Sequence, residues 1–135
     1  MISERYAPMT YALFRIVFGF LFLCFGLQKM FGLFGGQVAP LMGADGGLNL
    51  QAIAGYIETI CGLFIMVGLF TKPAAFLASG EMAVAYFYIH LRLMGAMPLV
   101  NMGERSTMFC FAFLYVATRG AGIWSLDSLM KSKKS

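Results

Sequence analysis

Charge is what this chain has least of. Only 12% of its 135 residues are Asp, Glu, Lys or Arg, against 60% hydrophobic, whereas a soluble domain usually carries about 25% charged residues. A water-soluble monomer of this length would lack polar surface. Histidine is down to one residue, His90, which excludes a bis-histidine haem and any metal centre built from several converging histidines. The three cysteines, Cys24, Cys61 and Cys110, stand alone in apolar runs, with neither a CxxC pair nor a CxxCH haem-attachment site. They read as small hydrophobes. No credible strand leads into a glycine-rich turn, so a nucleotide-phosphate fingerprint is missing. The net charge of +4 fits membrane orientation and lipid contact, not nucleic acid. Neither a metal nor a covalent cofactor is expected.

What remains is a series of long apolar runs, each near the roughly 20 residues that a spanning helix needs. They predict an all-α membrane protein: a single domain formed by a four-transmembrane-helix bundle. The spans are about 9–31, 51–70, 74–94 and 102–118, with an outer connection at 32–50 and a tail at 119–135. Arg15 interrupts the first run, and Gly26-Leu27-Gln28-Lys29 is a poor cleavage site, so the first span is expected to be retained. Pro73 suits the first turn of span three. Asn101, three residues before Glu104, predicts an N-cap for span four. The excess of Lys and Arg at positions 5, 72, 119, 131, 133 and 134 predicts that both termini are cytoplasmic.

The few polar groups in the spans are the candidate functional residues. On span one, Arg15, Gly19, Phe22, Gly26 and Lys29 follow three-and-four spacing and share one stripe. Gly55, Glu58 and Gly62 do the same on span two. On span three, Glu81, Ala85, Tyr88 and Arg92 share a face, with His90 pointing roughly the opposite way. A charge at the bilayer centre costs roughly 2.5–3.5 kcal/mol, so these groups should meet one another. Depth counted along the helices predicts an inner cluster of Arg15, Glu58 and Glu81, with Tyr88 nearby. One carboxylate is then in excess, and is either protonated or facing a ligand or water. An outer cluster of Lys29, His90, Arg92, Asn101 and Glu104 is predicted at the far end, with Glu104 pairing with Lys29 or Arg92. The plainer alternatives are ion pairs that only fix helix register, and interfacial snorkelling of the outer cations. The glycines of spans one and two read as close-packing positions.

Five pieces in order resemble the DoxX family of small bacterial membrane proteins. They are Arg15-x3-Gly19 with Gly26-Leu-Gln-Lys29; Glu58-x3-Gly62 with Gly68-Leu-Phe-Thr71-Lys72; Ala83-x-Ala85 with His90; Asn101-x-Gly103-Glu104; and Gly120-x-Gly122-x2-Ser125-Leu-Asp127. The resemblance spans 13–127. Phe25 departs from it where many members have histidine, and Ala121 where proline is usual. The resemblance implies a four-helix bundle in the bacterial inner membrane and a link to oxidoreductase chemistry, through a family name taken from a thiosulfate:quinone oxidoreductase subunit. Under that reading a bound quinone or a redox partner protein supplies electron transfer, and Arg15, Glu58, Glu81 and Tyr88 hold the head group. A non-catalytic scaffold or chaperone for a partner protein is the alternative. A small-solute transporter is a third reading, and would require a homo-oligomer.

Overall fold

A computed structural model describes residues 3–134; Met1, Ile2 and Ser135, which the expected terminal segments include, lie outside them. Apolar residues dominate the chain, and glycines cut it into helices. α1 (Ala7–Phe31) carries Pro8 in its first turn and closes on Gly32, whose φ of 68° is the left-handed conformation that favours glycine. α2 (Leu50–Val67) opens with the Asn49 side chain accepting from the Gln51 amide and closes on Gly68, φ 74°. α3 (Thr71–Ala85) continues through a π-helical turn, Tyr86–His90, into α4 (Leu91–Met94). α5 (Glu104–Arg119) and α6 (Leu126–Lys134) complete the chain. Among the described residues there is no strand, only an isolated antiparallel bridge between Met42 and Leu48. The all-helical expectation therefore holds.

Two helical stretches, Glu4–Phe31 and Leu50–Val67, are long and apolar enough to cross a membrane. α1 packs along α2, α2 against α3, and α3 against α5. The α1–α2 contact is antiparallel and very close. A Cβ on Gly19 would sit 2.5 Å from the Met66 amide nitrogen, and one on Gly62 would sit 2.5 Å from that of Leu23, so these glycines let the backbones touch. The core is made of small residues on α3 (Ala74, Ala75, Ala78) facing Phe109, Phe113 and Val116 of α5, with Phe22 and Ile65 closing it. Large apolar side chains such as Leu13, Val17, Phe20, Phe76 and Phe111 point outward, the inverse of a soluble surface.

Two expected boundaries change for identifiable reasons. Asn101 does not cap α5. Met102 takes a positive φ of 57°, the helix begins after Gly103, and no side chain caps it. Asn101 instead lies fully buried in the turn before it. The π turn also alters phase: its wider i→i+5 spacing rotates everything beyond it, so His90 is not turned away from Glu81 as an uninterrupted helix would require.

Candidate functional site

The stripe on α1 does lie inward, since Arg15, Gly19, Phe22 and Gly26 are all buried. Its two cations serve opposite ends of the bundle. Arg15 is fully buried and meets neither Glu58 nor Glu81. Its guanidinium donates to the carbonyls of Ile65 (2.7 Å), Met66 (2.9 Å), Ile123 (3.3 Å) and Trp124 (2.7 Å). The first two belong to the last turn of α2, where unpaired carbonyls and the helix dipole favour a cation. The predicted pairing with Glu58 is therefore corrected. Arg15 sits level with Ile65, seven residues and about 10 Å of helix rise from Glu58.

Asp127 at the start of α6 makes the complementary contact. Its carboxylate accepts from the amides of Phe70 (2.9 Å) and Thr71 (3.0 Å) and from the Thr71 hydroxyl (2.9 Å). It thereby caps α3, which has no cap of its own. Partial burial pushes the Asp127 carboxyl up, but these hydrogen bonds and the nearby Arg15 charge outweigh it and hold the group below its ordinary value. A Cβ on Gly68 would collide with Ser125, so the segment around Gly68 and the one ending at Asp127 are interlocked. This end of the molecule is a clasp.

The other half of the bundle holds a cavity of about 730 Å³, between the end of α1, the first half of α2, α3 with its π turn, and the start of α5. Phe22, Phe25, Ile57, Met82 and Phe109 supply apolar walls, while Lys29, Glu58, Glu81, His90, Arg105 and Ser106 supply polar ones. Lys29 Nζ lies 2.6 Å from Glu58 Oε1; Glu58 is 2% exposed and Lys29 27%. The second oxygen of Glu58 and Oε2 of Glu81 are buried without a hydrogen-bond partner. The Arg105 guanidinium stacks on the Phe25 ring, 4.7 Å from its centroid. The cavity's formal charges thus balance, two acids against Lys29 and Arg105.

The structure therefore redraws the two predicted clusters. It takes Arg15 out of the inner one and joins Glu58 and Glu81 to Lys29 and His90 from the outer one. Tyr88 lines the cavity but is half exposed, with the Arg92 guanidinium 5.6 Å from its ring. Glu104 is exposed and makes no ion pair among the described residues; Lys29 is committed to Glu58 and Arg92 to Tyr88. Asn101 shapes the wall from behind. Its amide donates to the Gly95 carbonyl (2.7 Å), its side-chain oxygen accepts from the Gly103 amide (2.8 Å), and its own carbonyl meets His90 Nδ1 at 2.9 Å. Arg105, Ser106 and Phe25 were missed by reading the sequence. The phase of α5 could have found the first two, because stepping back three and four residues from buried Phe109 lands on Ser106 and Arg105, not on Glu104.

The sequence model of the DoxX family matches residues 10–91. A protein of Haemophilus influenzae is 34% identical over 93% of both chains. The inner membrane protein YphA of Escherichia coli is 28% identical over 89% of both. A membrane protein of Mycobacterium tuberculosis is 22% identical over 93% of this chain and 84% of its own. No solved structure matches the chain significantly.

Proposed function

This chain belongs to the DoxX family of membrane proteins, and from that premise we propose that it is a quinone-associated subunit of a redox complex in the bacterial inner membrane. In this reading α1, α2, α3 with α4, and α5 are four spans, and α6 lies with both termini on the cytoplasmic side. The cavity then opens in the outer half of the bilayer. The observation that supports it is the pair of unpartnered carboxylate oxygens on Glu58 and Glu81 at the floor of an otherwise largely apolar cavity. A buried acceptor without a donor costs free energy, and a ligand head group relieves that cost. The aromatic and aliphatic walls suit a ring and an apolar tail.

Within that reading a quinone supplies two-electron, two-proton redox capacity, and the electron donor or acceptor is a partner protein. The chain's own residues would do the rest. Glu58 and Glu81 hold the head group, Lys29 fixes Glu58, Phe25 and Phe109 flank the ring, and Arg105 closes the far-end mouth. Arg15 has no part, being spent on the clasp.

The test is extraction. The protein, purified from its native membrane in mild detergent, should carry quinone in a reproducible ratio, and Glu58→Leu with Lys29→Met should lose it. A preparation free of quinone, with no quinone-dependent electron transfer alone or with co-purifying proteins, sinks the reading. Retained folding and partner assembly in that double variant, with no redox phenotype lost, would favour the scaffold reading. The clasp supports that alternative by showing that buried charges in this chain can be purely architectural.

A further inference from the structure

The cavity is lopsided in its hydrogen-bonding capacity. Among the described residues, three buried side-chain polar atoms have no partner: Arg15 Nε, which belongs to the clasp, and Oε2 of Glu58 and of Glu81, which both line the cavity. Both cavity orphans are acceptors. The donors around them are already directed elsewhere: Lys29 to Glu58 Oε1, Arg105 over the Phe25 ring, and His90 Nδ1 against the Asn101 carbonyl. No buried donor of this cavity is without a partner among the described residues.

From this asymmetry we infer that the cavity selects a head group that donates two hydrogen bonds, so that it binds the reduced, hydroxyl-bearing quinol in preference to the oxidised quinone. The inference rests on the quinone reading above and adds the redox form. A quinone ring presents two carbonyl oxygens, which accept only; set against two carboxylate oxygens they leave four acceptors facing one another without a proton between them. A quinol of the same ring and tail presents two O–H groups. One can reach Glu58 Oε2 and the other Glu81 Oε2, satisfying both orphans with charge-assisted bonds. Because a bidentate polar match discriminates far more sharply than an extra methylene in an apolar wall, the two redox forms should differ strongly in affinity although their tails are identical.

Calorimetric titration of the full chain in lipid nanodiscs, with decylubiquinol held reduced under anaerobic conditions and with decylubiquinone, reads this out directly. The expected result is at least a tenfold lower Kd for the quinol. Glu81→Gln provides the diagnostic variant. Glu81 makes no ion pair or side-chain hydrogen bond among the described residues, so its amide counterpart costs the fold little, while supplying an N–H for a quinone carbonyl. In E81Q the quinol preference should fall below threefold, mainly through tighter quinone binding. Glu104→Gln, exposed and outside the cavity, should leave the ratio unchanged. Equal binding of both probes, or a ratio that E81Q does not move, overturns the inference while leaving the quinone reading standing. Failure of both probes to bind removes the two together.

Discussion

Lys29 on α1 and Glu58 on α2 face each other at 2.6 Å, at the level where the two helices frame the cavity. Their inequality of exposure, 27% against 2%, makes the pair asymmetric. Lys29→Met should strand a buried carboxylate and cost about 2–3 kcal/mol. The double variant Lys29→Met/Glu58→Leu should recover most of that loss. A double-mutant cycle on thermal unfolding in detergent measures it, and additive single effects would show that the pair contributes nothing.

Arg15 should behave in the opposite way. Arg15→Met leaves four carbonyls without their donor, two of them in the closing turn of α2. It should lower the unfolding midpoint more than any single change in the cavity. Adding Glu81→Leu should give no recovery, because the two residues do not meet. Rescue in the double variant would establish an Arg15–Glu81 pairing and refute the clasp.

The Asp127 cap predicts an acid limb to stability. The folded carboxyl is held below its ordinary value of about 4, so the stability it contributes is complete above that ordinary value. It is lost as pH falls through the lower folded value. Unfolding midpoints measured between pH 6 and pH 3 should therefore decline at the acid end. Asp127→Ala should be less stable near neutrality and should lack this component of the decline. An acid limb identical in wild type and D127A would show that the cap carries no net charge-dependent stability.

The α1–α2 seam makes a steric prediction. Gly62→Ala places a methyl group 2.5 Å from the Leu23 amide nitrogen, so the helices must separate, at about 1–3 kcal/mol. Gly80→Ala meets nothing within 4 Å and should stabilise α3 by roughly 0.5–1 kcal/mol through the unfolded chain. Opposite signs of the shift in unfolding midpoint are expected; a tolerated Gly62→Ala would mean that the backbones do not need their close approach.

Local pattern was enough for a good deal here. Scarce charge and long apolar runs specify membrane helices, because nothing else satisfies backbone groups in lipid at so little polar cost. Three-and-four spacing put Arg15, Gly19, Phe22, Gly26 and Lys29 on one inward stripe, since helix periodicity is a property of the segment itself. The ordered motifs identified the DoxX family. Partner choice was beyond that reach. Arg15 was assigned to acidic residues because sequence displays charges, while the carbonyls it actually binds are carried by every residue and leave no mark. Asp127 and Thr71 are separated by most of two helices and a loop, so only the packed chain could bring a cap to α3 from the C-terminal segment. Antiparallel offset then decided the rest: it set Glu58 level with Lys29, and the π turn rotated His90 toward Glu81. One stripe on α1 thus ends in a structural clasp on one side and a polar cavity on the other, a division that depends on where each neighbouring helix starts and stops.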